Sequence, residues 1–245
     1  MSDLNKPAGV LVKTTLVDFP GHVASALFLK GCNLRCPYCY NTGLVFNNEP
    51  EDNLSSVNQL FEHLEKRRHV IDGLAISGGE PLVSPYTKII IQKAKELGYK
   101  VKMDTNGLLT DRLYEIISSP SLCPDFIAMD IKTSPLRYAE TMFSKPLINE
   151  KENIANNLKK SAELIGTLPK ENREFRTVLV PGLVDEEDIR NIAKIIPQDA
   201  SWQFAQFRND NCLDPSYNNI PPYLDAKINH LIEYAKTLIP DAALR

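Results

Sequence analysis

The chain has 245 residues, 43 % of them hydrophobic, which supports one large domain with a full core at the size that single α/β barrels reach. Its formal net charge is −3, and Lys66-Arg67-Arg68 is the densest basic run, so nothing favours nucleic acid as a partner. No apolar run approaches the ~18–20 residues of a membrane span, and MSDLNKPAGV lacks a basic start followed by an apolar core, so a cytoplasmic protein without membrane association is expected.

In chain order, strand-like and helix-like segments alternate. The expected strands are Ala24–Leu29, Leu74–Ser77, Lys100–Asp104, Phe126–Ile131, Phe175–Val180 and Trp202–Phe207, short and apolar as buried parallel strands tend to be. Amphipathic helices fill the intervals. Val57, Leu60, Phe61 and Leu64 keep helical spacing, and Lys66 to Arg68 form a basic last turn. Ile90, Ala94 and Leu97 stop at Gly98, a C-cap residue. Ile154, Leu158, Ala162 and Ile165 precede Gly166, and Ile189, Ile192, Ala193 and Ile196 precede Pro197. Leu224 to Leu238 reads as a closing helix. One domain is expected over residues 1–245, with a core at about 10–217 and a C-terminal helix at about 223–239. Six βα units are fewer than the eight of a closed barrel, which points to a partial (β/α)6 TIM-like barrel, although the pattern also permits a doubly wound sheet.

The chemistry-bearing residues fall at strand ends. Cys32, Cys36 and Cys39 follow the first strand in GCNLRCPYCYN. Three thiolates this close can converge on one metal, and soft sulfur selects zinc, copper(I) or an iron–sulfur cluster. A four-iron cubane usually takes four thiolates, so three leave one iron open. A zinc site completed by a distant histidine is the competing reading. Cys123 and Cys212 lie far off in sequence and are read as incidental. Ser77-Gly78-Gly79-Glu80-Pro81 ends the second strand, Asp104-Thr105-Asn106-Gly107 the third and Asp130-Ile131-Lys132 the fourth. Val180-Pro181-Gly182 ends the fifth strand and Gln206-Phe207-Arg208 the sixth. In barrels of parallel strands this is the end that carries the active site.

A CxxxCxxC loop followed by a strand ending in GGEP resembles the radical S-adenosylmethionine (radical SAM) superfamily. The resemblance implies a partial barrel of the radical SAM type, a [4Fe–4S] cluster on Cys32, Cys36 and Cys39, and S-adenosylmethionine bound to the open iron. Thr14–Gly21 (TTLVDFPG), DTNG, the DIK triplet and FRTVLVPG (Phe175 to Gly182) are similar to the glycyl-radical-enzyme activating proteins, over roughly Val10 to Tyr217. AMDIK with QFAQFRN most resembles the activators of anaerobic ribonucleoside-triphosphate reductase. Asn41 to Asn58 contains no cysteine, so the extra ferredoxin-like clusters of many activators are not expected. FAQFR stands where pyruvate formate-lyase activators carry a motif like LLPYH, which weakens a lyase partner.

The resemblance also implies roles. Tyr38 would lie against the adenine, and Gly78, Gly79 and Glu80 would hold the methionine ammonium. Asp104, Thr105 and Asp130 would place a monovalent cation near the cofactor carboxylate, and Asn106 in the same loop would also bind the cofactor. Lys132 and Arg176 would meet carboxylate charge, and Asp130 with Lys132 is the catalytic pair. A structural ion pair among Asp104, Asp130, Lys132 and Arg176 is the plainer reading. The expected reaction is reductive cleavage of S-adenosylmethionine and hydrogen abstraction from a backbone glycine of a glycyl-radical enzyme, with flavodoxin or ferredoxin as electron donor. The alternatives are a small-molecule radical SAM enzyme like 7-carboxy-7-deazaguanine synthase and a zinc-stabilised binding protein.

Overall fold

The structure, a computed structural model, describes residues 3–245. Its elements in chain order are β1 (Pro7–Thr15), β2 (Ala24–Leu29), α1 (Thr42–Val45), β3 (Ser55–Ser56), α2 (Val57–Arg67), β4 (Gly73–Gly78), α3 (Thr87–Glu96), β5 (Lys100–Thr105) and α4 (Thr110–Ile117). They continue with β6 (Phe126–Asp130), α5 (Tyr138–Thr141), α6 (Lys151–Gly166), β7 (Arg173–Leu179), α7 (Glu186–Ala193), β8 (Trp202–Gln206), α8 (Asp225–Leu238) and β9 (Ala242–Leu244).

The chain divides into two compact units, and the division falls within β6. The first unit comprises the chain up to Asn33, Gly43–Thr105 and Asp111–Ile127. Its strands run in the order β3-β1-β2-β4-β5. β1 is antiparallel to β2 and β3, while β2, β4 and β5 are parallel. Ala24, Ala26 and Ala75 pack with Phe19 into a small apolar cluster. The second unit comprises Leu34–Thr42, Asn106–Thr110 and Ala128–Arg245. Its strand order is β6-β7-β8-β9, with β7, β8 and β9 parallel. Trp202 is fully buried there, and its indole N–H donates to the Thr177 hydroxyl at 3.0 Å.

Local chemistry explains the boundaries. Ser56 and Gln59 form a reciprocal capping box at the start of α2, which buries Val57, Leu60 and Leu64. Asp185 and Asp188 do the same for α7. Gly98, at φ +88°, ends α3 in the left-handed conformation that glycine tolerates. All six expected strands are present, each within two residues of its expected limits. β1, β3, β9, α1, α4 and α5 are additions. β1 carries the half-exposed run Val12-Lys13-Thr14, which lacks the continuous apolar signature of a buried parallel strand. β3 and β9 are too short to show a period. Among the described residues, no helix is long and apolar enough to cross a membrane.

Candidate functional site

Two groups of polar side chains gather at the strand ends, one in each unit. The first starts where β2 and β4 finish side by side. The Gly79 N–H donates to the Leu29 carbonyl at 2.9 Å, and the Glu80 N–H to the Gly31 carbonyl at 2.8 Å. Gly78 sits at φ +111°, and a Cβ there would lie 2.3 Å from the Leu29 nitrogen. A Cβ on Gly79 would lie 2.0 Å from the Gly31 carbonyl oxygen and 3.4 Å from the Cys32 Cβ. Both glycines therefore serve close approach of backbone to backbone, and they seat the residues that lead into the cysteine loop. The resemblance assigns the same two glycines, with Glu80, to the methionine ammonium.

Glu80 is buried. Its Oε1 accepts from the Leu82 N–H at 3.1 Å, capping a short turn, and from the Thr105 hydroxyl at 2.8 Å. Two donors on one oxygen fix the direction of the carboxylate. On β5, the Asp104 Oδ2 accepts from the Ser77 hydroxyl at 2.8 Å, while Oδ1 receives the ammonium of Lys102. Lys102 is 1 % exposed. Sequence reading missed it. Its signal was the alternation of KVKMDT, which puts Lys100, Lys102 and Asp104 on one face of the strand.

The second group centres on Asp130, at the end of β6. Its Oδ1 accepts from Arg176 Nε on β7 at 2.7 Å, and its Oδ2 from Lys132 Nζ at 2.9 Å. Burial pushes the Asp130 carboxyl upward, but the charges of Arg176 and Lys132 outweigh it and hold the group well below the usual carboxylate range. Lys132 moves the opposite way. Burial lowers it, and Asp130 with the Cys36 sulfur raises it above the usual lysine range. Both shifts favour the charged forms, as expected of an ion pair. Arg176 continues the row: its Nη1 lies 3.8 Å from Glu174 Oε1, which also faces Arg245 Nη1 at 3.9 Å. Glu174 is buried, and Oε1 has no hydrogen-bond donor. Glu174 and Arg245 were not singled out from the sequence.

The middle of the cysteine loop belongs to this second unit. Cys39 donates its N–H to the Cys36 carbonyl at 3.0 Å, a tight turn that brings the two residues together. The Leu213 N–H donates to the Cys39 carbonyl at 2.9 Å and the Asp214 N–H to the Pro37 carbonyl at 2.8 Å, tying the loop to the segment after β8. Burial raises the Cys39 thiol, against the pull of the Asn41 N–H, Lys132 and Arg35. Tyr38 is buried, and its hydroxyl has no partner. Its ring meets Phe207 edge-on at 6.4 Å, and Phe207 meets Tyr217 the same way at 6.4 Å. A buried hydroxyl without a partner is costly to the fold. Asn106 is used locally, accepting the Leu108 N–H at 3.1 Å. Cys212 is buried; its N–H donates to Asn218 Oδ1 at 2.9 Å, and its Sγ makes a long contact to the Arg208 carbonyl at 3.7 Å. No cysteine is in a disulfide among the described residues.

Comparison with known proteins agrees with this chemistry. The model of the radical SAM superfamily matches residues 27–195. The chain is 31 % identical over 239 residues to MJ1227 of Methanocaldococcus jannaschii, described as a glycyl-radical enzyme activating enzyme, covering 96 % of this chain and 94 % of that one. It is 30 % identical to the pyruvate formate-lyase-activating enzyme of Clostridium pasteurianum over 187 residues, covering 74 % of this chain and 72 % of that one. Among solved structures, Streptococcus suis SuiB bound to its precursor peptide SuiA superposes with a TM-score of 0.58 at 19 % identity, covering 89 % of this chain and 47 % of SuiB. Escherichia coli QueE superposes with a TM-score of 0.53 at 12 % identity, covering 97 % of this chain and 92 % of QueE. These structures show the fold class expected from the sequence, the α/β partial barrel of radical SAM enzymes.

Proposed function

We propose that this chain, which belongs to the radical SAM superfamily and, within it, to the glycyl-radical enzyme activating enzymes, activates an anaerobic ribonucleoside-triphosphate reductase. The family implies a [4Fe–4S] cluster and S-adenosylmethionine, and membership sets aside the zinc-stabilised binding protein. Bound together, the two would supply one-electron reductive cleavage of the sulfonium, with an external donor giving the electron and methionine leaving, and so the power to take hydrogen from the α-carbon of a glycine in the partner.

The residues fit that cargo. Among the described residues, no three His, Cys, Asp or Glu side chains already stand at metal-ligand spacing, so Cys32, Cys36 and Cys39 are assigned to the cluster on donor chemistry and motif order. Glu80, aimed by Leu82 and Thr105, would accept the methionine ammonium. Lys132 and Arg176, held by Asp130, would meet its carboxylate. The orphan hydroxyl and ring of Tyr38 would face the adenine. Asp130 is in this reading a positioning residue, because its contacts are to the two cations. A flavodoxin or ferredoxin would deliver the electron.

One observation carries the choice of partner. β8 ends at Gln206 within the run FAQFR, and Phe207, the next residue, is buried edge-on against Tyr38 in the stretch where lyase activators carry a histidine. The aromatic contact turns that strand end apolar and favours a reductase. The test is electron paramagnetic resonance of reduced, reconstituted chain with S-adenosylmethionine and an anaerobic ribonucleotide reductase. A doublet glycyl radical is expected there, and none with pyruvate formate-lyase; the reverse pattern overturns the assignment. Turnover of a deazapurine precursor with no protein partner would establish the small-molecule alternative. Glu80→Ala should keep its cluster and bind S-adenosylmethionine more than tenfold more weakly, as loss of a charge-assisted hydrogen bond of ~1.5–3 kcal/mol requires.

A further inference from the structure

We infer that Lys102 is a resident cation: its ammonium takes the place on Asp104 that a monovalent metal ion would hold, so this chain works without one. The sequence places such an ion at Asp104, Thr105 and Asp130, because hard oxygen ligands suit a hard cation. The side chains present do not fit it. Asp104 Oδ1 already receives the Lys102 ammonium, and Oδ2 the Ser77 hydroxyl at 2.8 Å. The Thr105 hydroxyl is directed to Glu80 at 2.8 Å. Asp130 receives Arg176 at 2.7 Å and Lys132 at 2.9 Å. Every carboxylate oxygen of the two aspartates meets a donor, and a metal ion at Asp104 would sit beside an ammonium that already neutralises that carboxylate.

That ammonium has nowhere to go. Lys102 is 1 % exposed and cannot swing to water, and an unpaired buried charge is strongly destabilising. The pairing is built into the strand, since residues two apart on β5 share a face. A tethered ammonium supplies the same unit charge as sodium or potassium, and its occupancy does not depend on salt composition.

The test compares sodium, potassium and tetramethylammonium chloride at equal ionic strength, using the full, cluster-reconstituted chain. Unfolding temperature is read first without S-adenosylmethionine, so the result stands apart from the cofactor reading, on which only a second arm, S-adenosylmethionine affinity, rests. The parent protein should show one Tm and one Kd in all three salts. Lys102→Ala should lose about 10 °C in tetramethylammonium, and sodium or potassium should restore most of it. Lys102→Ala with Asp104→Asn should show no such recovery. Selective stabilisation of the parent by sodium or potassium overturns the proposal, as does an equal loss for Lys102→Ala in all three salts. If Lys102→Ala does not fold, the parent comparison alone decides. Failure of every protein to bind S-adenosylmethionine, with the Tm pattern intact, would strike the cofactor reading and leave Lys102 in its role.

Discussion

The two strand-end aspartates solve one problem in different ways. Asp104 and Asp130 each end a strand, and each pairs with a lysine two residues away in the chain. Lys102 lies inside β5, so its partner is guaranteed by the pleat of a single strand. Lys132 lies beyond the end of β6, and Asp130 also needs Arg176, which only β7 can bring. The first pair is locally encoded, and its lysine is dry at 1 % exposure although Asp104 is 15 % exposed. The second is partly solvated, with Lys132 19 % and Arg176 17 % exposed, and it depends on tertiary structure. The region that looks more elaborate is therefore the more forgiving one.

The largest effect expected from this contrast is at the glycines. Gly79→Ala drives a methyl into the Gly31 carbonyl and should cost about 4 kcal/mol or more. Gly182→Ala in the second unit meets nothing within 4 Å and should cost only the left-handed strain at φ +82°, roughly 1–2 kcal/mol. Urea unfolding of both variants measures the difference, and equal losses would mean that the β2–β4 junction is not closed by backbone contact.

Next come the aspartates. Asp104→Ala strands a lysine that cannot reach water and should cost roughly 3–5 kcal/mol. Asp130→Ala leaves two cations that can, and about half that loss is expected. The opposite ranking in chemical denaturation would reverse the contrast. Acid sharpens it further. Asp130 has a depressed carboxyl in the folded chain, so its stabilisation is complete above the unfolded carboxylate value of ~3.9 and fades as pH falls through the folded value. The Tm gap between parent and Asp130→Asn should be flat at neutral pH and narrow below about pH 4.

Tyr38→Phe carries the smallest effect. It deletes a buried hydroxyl without a partner, so cofactor-free protein should be unchanged or gain about 1 kcal/mol. S-adenosylmethionine affinity should fall at the same time. A destabilised variant with unaltered affinity would place the hydroxyl in the fold and not at a ligand.

Much of this was legible in the sequence because it rests on short-range pattern. Apolar runs of four to six residues gave the parallel strands, and motif order placed Cys32, Glu80, Asp104 and Asp130 at their ends. Lys102 escaped because a lysine reads as a surface residue until its neighbours bury it. Glu174 and Arg245 escaped because their approach joins β7 to the residue after β9, a contact that no local period announces. α4 was missed because Thr110–Ile117 shows barely two turns of pattern. The glycines were visible, but not what they touch. A missing Cβ looks the same in a sequence whether it makes room for a cofactor or for the next strand.

The two backbone hydrogen bonds from Leu213 and Asp214 to the cysteine loop bear on biosynthesis. Chain leaves the ribosome from the N-terminus, so Cys32, Cys36 and Cys39 emerge long before the segment that clamps Pro37 and Cys39. Until residues 213 and 214 are made and β8 has folded, the loop is an open strip of thiols, exposed to oxygen and to stray metal. A nascent chain arrested before β8 should therefore lose its thiols to alkylating reagents quickly, while the released chain protects Cys36 and Cys39.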